Sequence, residues 1–184
     1  NNEAKRGGAI HMYTSNALLT NINVYENSTR CINCEQQPVG TRRGGCAIIL
    51  YQSSPVMSHI IVRDNTNDMS SFTDGNYDSA GLCLSESDAI MVDIIIQNNH
   101  SHSYNTNYIQ SGTILLQESN PIITNALITG NQTHSSNSAM AIWGSNPTIT
   151  NATFSGNGVE NSYWGERLIE LWGSSSAIFT NTII

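Results

Sequence analysis

Charged side chains are scarce in this chain, and basic ones are the scarcest of all. Its 184 residues include 7 Lys and Arg against 14 Asp and Glu, a formal net charge of −7. Nucleic-acid binding needs clustered cations to meet phosphates, and the only adjacent basic pairs are Lys5-Arg6 and Arg42-Arg43. The composition therefore predicts no nucleic-acid partner.

Long apolar runs are missing as well. A membrane-spanning helix needs roughly 18 consecutive apolar residues, and no stretch of the sequence approaches that length. We therefore expect no membrane span in this segment. The chain begins at Asn1 with no signal peptide ahead of it, which predicts a mature or excised piece of a longer chain.

Asn and Ser supply much of the polar character of the chain, with 23 residues of each type. A polar chain of this kind is disordered when it has too few apolar residues to bury. Here Ile, Leu and Val recur at regular spacing, which is typical of a folded chain.

One phrase recurs along the chain and sets its organisation. The segments SNPIITNALITGN (119–131) and SNPTITNATFSGN (145–157) agree at nine of 13 positions. Weaker copies begin at residues 15, 53 and 87, and a sixth copy ends with the chain. Alignment of the copies gives an anchor column of Asn21, His59, Asp93, Asn125, Asn151 and Asn181, and a closing column of Asn27, Asn65, Asn99, Asn131 and Asn157.

The copies are unequally spaced although their phrases match, which predicts one variable loop per repeat. Each loop should leave from the closing Asn and project from one edge of the molecule. The loops expected on this basis are residues 28–43, 66–78, 100–110 and 158–166.

A short segment of alternating apolar residues precedes each copy, as in AIILY (47–51) and GLCLS (81–85). That period is typical of half-buried strands. Three short strands per repeat, with polar corners, predict a coil wound repeatedly about one axis. The expected fold is an all-β parallel β-helix of about six coils, one segment over residues 1–184, with coils that begin near residues 7, 45, 79, 111, 137 and 167. No cap is recognisable at either end, so we expect part of a longer solenoid.

The corners account for the abundance of Asn. Asn tolerates a left-handed backbone and bonds to nearby main-chain groups. Asn side chains stacked about 4.8 Å apart can also bond to one another as a ladder. We therefore expect structural ladders at the Asn residues of both columns, with the side chains of Asn125 and Asn151 turned toward the interior.

The phrase SNPTITNATFSGN and the segment GGAI (7–10) resemble the repeats of right-handed parallel β-helix proteins of the polymorphic outer-membrane-protein type. The resemblance covers nearly the whole chain and rests on the repeat, with no enzyme motif. It implies a right-handed, pectate-lyase-like coil in an extracellular or cell-surface setting, with adhesive or structural use. The GGAI segment is lost after the second copy, and the long Cys-bearing loop departs from the repeat.

Two glutamates are the best candidates for catalysis. Polysaccharide hydrolases need converging carboxylates, and Glu86 and Glu118 occupy the same position in adjacent coils. A lyase would also need a base beside a Ca²⁺ cluster, but no Lys or Arg stands in register with the glutamates. We interpret the pair as a solvated stack or an opportunistic Ca²⁺ site, and we predict no catalytic residue and no other cofactor.

Aromatic side chains share one outward column. Trp143 and Trp172 occupy it in neighbouring coils, Tyr13 and Tyr51 begin it, and Trp164 lies in the loop between the tryptophans. Exposed rings can stack on a sugar, and they can also stack on one another to shield a strand. Both interpretations stay open, so the three tryptophans are candidate carbohydrate contacts.

The histidines predict no metal centre. His100, His102 and His134 fall in segments that we assign to loops. A metal site there would need two loops to converge, so a solvated loop is the favoured interpretation of the stretch NHSHS (99–103).

The cysteines favour a disulfide over zinc. The segment CINC (31–34) lacks the second cysteine pair that a zinc site needs. Cys46 and Cys83 are three positions out of register, roughly 11 Å apart from strand rise and spacing, which is beyond disulfide reach. We therefore expect a loop-pinning disulfide drawn from Cys31, Cys34 and Cys46.

Four Asn residues lie in Asn-x-Ser/Thr sequons, the acceptors of N-glycosylation. Asn27, Asn99 and Asn131 stand in the closing column, where a glycan could project beside a loop. Asn151 belongs to the anchor column and is expected to be inaccessible. In a eukaryotic source, Asn27, Asn99 and Asn131 are therefore the candidate glycosylation sites.

These features predict a non-enzymatic, extracellular or cell-surface β-helix module of a larger protein, with a structural or adhesive role. Its expected partners are neighbouring segments of the same chain, other extracellular proteins, and glycans. The alternatives are a polysaccharide lyase or glycoside hydrolase of pectate-lyase-like fold, and a carbohydrate-binding module.

Overall fold

The computed structural model describes residues 2–4, 8–30, 43–68, 77–102, 112–134, 137–160 and 167–184. All the secondary-structure elements in these ranges are β-strands. The first ten are β1 (Glu3–Ala4), β2 (Ile10–Tyr13), β3 (Leu18–Tyr25), β4 (Ser28–Arg30), β5 (Arg43–Gly44), β6 (Ile48–Tyr51), β7 (Val56–Arg63), β8 (Thr66–Asp68), β9 (Tyr77–Asp78) and β10 (Leu82–Ser85). The others are β11 (Ile90–Gln97), β12 (His100–His102), β13 (Ile114–Gln117), β14 (Ile122–Thr129), β15 (Gln132–Thr133), β16 (Asn137–Trp143), β17 (Thr148–Ser155), β18 (Gly158–Val159), β19 (Arg167–Trp172) and β20 (Ile178–Thr180).

Three parallel sheets of six strands each run through the coils. The apolar sheet contains β2, β6, β10, β13, β16 and β19; the long-strand sheet contains β3, β7, β11, β14, β17 and β20. The polar sheet contains β1, β4, β8, β12, β15 and β18, and β5 pairs with β9 separately. Within each sheet, every strand except the two at the edges pairs with its counterparts in the preceding and following coils. The fold is therefore a parallel β-helix of about six coils, as the repeat predicted. No helix in the described ranges is long and apolar enough to cross a membrane.

The columns aligned in the sequence are paired in the structure. In the apolar sheet, Leu82 lies opposite Ile48 on one side and Ile114 on the other. In the long-strand sheet, Met91 lies between Met57 and Ile123. These side chains are buried and belong to one continuous core, so the predicted register is confirmed.

The anchor residue bends each long strand. Asn125 and Asn151 have φ values of 56° and 54°, in the left-handed region that residues other than Gly, Asn and Asp rarely adopt. The bend interrupts the alternation of side chains, and the following residue turns inward. Ala126 and Ala152 are accordingly buried, as is Ile94 in the coil before them. This further core column was not visible in the period-two pattern of the sequence.

A short strand follows each closing Asn, where the repeat predicted a loop. Strands β4, β8, β12 and β18 take up the first residues of the predicted loops, and the later residues of those loops lie mostly outside the described ranges. The inward side chains of the polar sheet are buried but polar: Thr29, Asn67, Ser101 and Thr133. Because these strands bury polar groups, hydrophobic periodicity could not reveal them, and the prediction that loops begin at the closing Asn is wrong.

Candidate functional site

The closing column forms a continuous ladder, which is buried from Asn27 to Asn131 and half-buried at Asn157. Each side-chain amide donates to the Oδ1 of the next Asn, at 3.0 Å from Asn27 to Asn65 and at 2.9 Å from Asn65 to Asn99. The same bond continues to Asn131 and Asn157 at 3.0 and 2.9 Å. The ladder predicted for these five residues is confirmed.

In each interior rung, the side-chain amide both donates and accepts hydrogen bonds, as Asn99 illustrates. Asn99 Nδ2 donates to Asn131 Oδ1 at 3.0 Å and to the Val62 carbonyl at 2.9 Å. Asn99 Oδ1 accepts from the main-chain N–H of Asn65 at 3.1 Å and from its Nδ2 at 2.9 Å. An amide buried without such partners costs about 1–3 kcal/mol. The side-chain donors between rungs all point from the earlier coil to the later one.

A further rung, Asn2, precedes the predicted ladder. Its main-chain N–H and its Nδ2 donate to Asn27 Oδ1 at 3.2 and 3.0 Å. Strand β1 pairs with β4, which places Asn2 one coil before Asn27. Sequence reasoning missed this rung because only one residue precedes it, too few to recognise the repeated phrase.

A buried serine ladder runs beside the aliphatic core, and sequence reasoning missed it. Ser87 N–H donates to Ser119 Oγ at 3.0 Å, and Ser119 N–H donates to Ser145 Oγ at 2.9 Å. Ser119 Oγ donates in turn to the Gln117 carbonyl at 2.7 Å. A Ser at the first position of each copy of the phrase could have indicated this ladder. Such a Ser is also a common corner residue, so it was not interpreted as part of a ladder.

The anchor column lies on the outer surface. Asn125 Nδ2 donates to Asp93 Oδ1 at 3.0 Å, Asn151 Nδ2 to Asn125 Oδ1 at 3.2 Å, and Asn181 Nδ2 to Asn151 Oδ1 at 3.2 Å. Asn21 shares the left-handed conformation of the column. A ladder therefore joins the later rungs, but Asn125 and Asn151 are exposed. The predicted inward orientation is wrong, because the left-handed backbone turns these side chains toward solvent.

A shallow groove of about 460 Å³ runs beside the anchor column. His59, Asp93 and Asn125 are among its polar lining residues, and His59 Nε2 lies 3.4 Å from an Asp93 carboxylate oxygen. Ile95 and Leu127 line it with aliphatic surface, and Leu127 is 37% exposed. A row of hydrogen-bonding groups beside an apolar surface is the chemistry that small-molecule and sugar sites use.

The outward aromatic column is present as predicted. Trp143 pairs with Trp172 in the next coil, and Tyr13 pairs with Tyr51. The two tyrosine rings are tilted by 34° with centroids 5.2 Å apart, while Trp143 is 39% exposed. Trp164 lies outside the described residues. The column therefore contains tyrosine rings that contact each other and a tryptophan ring that is exposed to solvent. These observations do not test whether the tryptophans contact carbohydrate.

The candidate carboxylates stand at an exposed corner. Glu86 and Glu118 both have left-handed φ angles, and Gln52 Nε2 donates to Glu86 Oε2 at 2.8 Å. Among the side chains that the structure describes, the arginines pair with carboxylates at other places: Arg30 with Asp68, Arg63 with Asp64 and Arg167 with Glu170. The described residues thus bring no cation to the glutamate pair.

The cysteine prediction is corrected. Cys46 forms a disulfide with Cys83, with 5.9 Å between their Cα atoms; Cys31 and Cys34 lie outside the described residues. The 11 Å expectation assumed an extended strand from Cys46 onward, but the chain bends at Ala47 and β6 begins only at Ile48. The chain bends before the strand, so strand rise does not apply to Cys46.

The accessibility expected for the sequons is reversed. Asn27, Asn99 and Asn131 are 5, 1 and 0% exposed, and their amide nitrogens bond within the closing ladder. The expectation that a glycan could project from these three positions is wrong for the folded chain. Asn151, expected to be inaccessible, is exposed.

Three potential metal ligands converge on the outer face of the polar sheet. His100 and His102 belong to strand β12, with ring centroids 3.7 Å apart, and Glu160 follows β18. One ligand atom from each of the three lies within 4.8 Å of the others. Burial and the neighbouring His102 lower the pKa of His100, although Glu160 acts to raise it. The assignment of His100 and His102 to a loop is wrong.

Comparison of the chain with protein-family models, with curated proteins and with solved structures found no match.

Proposed function

We propose that the protein is a non-enzymatic extracellular or cell-surface module, with a structural and adhesive role within a larger assembly. The observation that carries this proposal is the pair of buried ladders, Asn and Ser, that ties successive coils together. Hydrogen bonds of this kind between every pair of neighbours make a stack rigid along its axis. A rigid rod suits a spacer that holds a binding surface at a fixed distance.

The setting is supported by the disulfide. Cys46 is fully buried and bonded to Cys83, and disulfides persist mainly in oxidising compartments. The proposed partners are neighbouring segments of the same chain, other extracellular proteins and glycans. We also propose that the β-helix is right-handed and pectate-lyase-like, of the type found in polymorphic outer-membrane proteins, which its repeats resemble.

Amide hydrogen exchange and an activity assay test the proposal together. A rigid rod should show slow exchange throughout the interior strands β7, β11 and β14, with no early opening of single coils. The same protein, incubated with a panel of plant and bacterial polysaccharides, should release neither reducing sugars nor unsaturated products. Product release that is lost in the Glu86→Gln and Glu118→Gln double variant would establish the hydrolase alternative instead.

A carbohydrate-binding role is the second candidate, and the groove beside the anchor column favours it. The groove offers amide and carboxylate groups from Asp93, Asn125 and Asn151 beside the apolar surface of Leu127. An extended glycan lying along the axis would meet one such polar group in every coil. Binding would then depend on several weak, repeated contacts.

A glycan array distinguishes the two outer surfaces. If the groove binds, the Asn125→Ala and Leu127→Ala variants should lose the signal while Trp143→Ala and Trp172→Ala retain it. If the aromatic column binds, the tryptophan variants should lose it instead. No signal from the parent protein would remove the carbohydrate-binding candidate.

A further inference from the structure

The polar sheet places two imidazoles side by side. In β12, Ser101 points inward and is buried, so the flanking His100 and His102 share the outer face. Their ring centroids are 3.7 Å apart. Two histidines separated by one residue on a strand face the same side, and they can present nitrogen atoms to one ion without any rearrangement of the backbone.

Glu160 approaches this pair from a later coil. Its main-chain N–H donates to the Thr133 carbonyl at 2.7 Å, which fixes the start of its side chain. Its Oε2 lies 3.5 Å from His100 Nε2. The ligands therefore come from two separate segments of the chain, and each segment is held by a sheet hydrogen bond.

The contact between His100 and Glu160 is poorly satisfied without an ion. His100 Nε2 is buried and makes no hydrogen bond of acceptable geometry. The nearest oxygen of the Glu160 carboxylate lies 3.5 Å from this nitrogen. With zinc bonds of about 2.0–2.1 Å, neighbouring ligands in a tetrahedron are about 3.3 Å apart. The observed separation is close to that edge.

We propose that His100, His102 and Glu160 bind one divalent transition-metal ion of the Zn²⁺ class. Two imidazoles and one carboxylate form a ligand set suited to Zn²⁺, whereas Ca²⁺ and Mg²⁺ prefer oxygen ligands alone. The three protein ligands leave a fourth position for water or for a group from a partner. The ion would also cross-link two coils that are not neighbours in the stack.

Calorimetric titration of the EDTA-treated, dialysed protein with ZnCl₂ tests the site. We expect one Zn²⁺ per chain, and no saturation by CaCl₂ at the same concentrations. The His100→Ala and His102→Ala double variant should weaken Zn²⁺ binding at least about 100-fold, since even the outer partners of metal ligands contribute roughly 10- to 100-fold. Glu160→Gln should weaken it less, because the amide oxygen is a poorer ligand.

A control variant, His11→Ala, removes a histidine from another face and should bind Zn²⁺ as the parent does. Circular dichroism of every variant without metal checks that the fold is retained. Should the double variant of β12 lose its fold, the Co²⁺ absorption spectrum of Glu160→Gln provides the test, since loss of a ligand changes its visible bands. Absence of Zn²⁺ binding by the parent, or equal losses in the double variant and the His11→Ala control, would overturn the proposal.

Discussion

Two asparagine columns cross the same coils and differ in what surrounds them. Asn99 and Asn131 of the closing column are 1 and 0% exposed, whereas Asn125 and Asn151 of the anchor column lie on the outer surface. The Asn99 amide bonds to three other residues. The Asn125 side chain bonds to one neighbour on either side.

The difference shows that one residue type serves two physical purposes. The anchor position requires a left-handed backbone, and His59 and Asp93 supply it with φ values of 54° and 56°. The closing position requires a buried amide with two donors and two acceptor sites. Every closing position in the aligned copies is accordingly Asn, while the anchor position varies.

Replacing Asn99 with Ala should have the largest effect. The Val62 carbonyl loses a donor and the main-chain N–H of Asn65 loses its acceptor, whereas Asn65 Nδ2 keeps the Val24 and Arg63 carbonyls. At about 1–3 kcal/mol for each of these two groups, the free energy of unfolding should fall by about 2–6 kcal/mol. Urea denaturation followed by circular dichroism measures it. Asn151→Ala is the matched control and should cost about 1–2 kcal/mol; equal losses would contradict the distinction between the columns.

Ser119→Ala tests whether the second buried ladder behaves like the first. The main-chain N–H of Ser87 loses its acceptor, and the Gln117 carbonyl loses a donor. We expect a loss of about 1–3 kcal/mol in the free energy of unfolding. The exposed Ser176→Ala serves as control and should change stability by less than about 0.5 kcal/mol. A Ser119 variant as stable as the parent would mean that the serine ladder adds nothing.

Asn125→Gly and Asn125→Val separate backbone conformation from side-chain bonding. Gly adopts a positive φ without strain, so it should change the free energy of unfolding by less than about 0.5 kcal/mol. Val should cost about 1–2 kcal/mol because its branched side chain resists the left-handed region. In the closing column, Asn99→Gly should be as damaging as Asn99→Ala. Thermal unfolding of the four variants gives the order, and a damaging Asn125→Gly would show that the outer ladder matters in itself.

Asp93→Asn should have the smallest effect. Asn also tolerates the left-handed conformation, and the contact with His59 is solvent-exposed, with 62 and 42% of the His59 and Asp93 side chains accessible. Exposed pairs contribute about 0–1 kcal/mol and are screened by salt. Melting curves at low and high salt should therefore nearly coincide for the variant and the parent. A large salt-dependent loss would show that the anchor column is held by charge.

The register could be predicted from sequence because it is carried by apolar residues. Ile48, Leu82 and Ile114 stand at equivalent positions in their copies, and a one-residue slip would expose the whole column. The orientation of Asn151 could not be predicted in the same way. The prediction assumed that side chains alternate inward and outward along a fully extended strand. The left-handed backbone at Asn151 breaks that alternation, and the sequence pattern alone does not give the direction in which the side chain then points.

The candidate metal site and the disulfide escaped prediction for a related reason. His102 belongs to β12 of the polar sheet, and Glu160 follows β18 of the same sheet. The inward side chains of this sheet include buried Thr and Ser, so its strands show no hydrophobic periodicity in the sequence. The position of Cys46 depends on the bend at Ala47, which the distance calculation treated as extended chain. Both errors arose where the chain departs from the apolar phrase.

The common direction of the closing ladder gives the rod two chemically different ends. Amide donors face the later coil at each step, from Asn2 to Asn27 and on to Asn157, so acceptors face the other way. Two like ends brought together would set oxygen against oxygen or N–H against N–H. Any segment that prolongs this ladder, or any second copy that stacks on it, must therefore join head to tail, as subunits do in a polar filament.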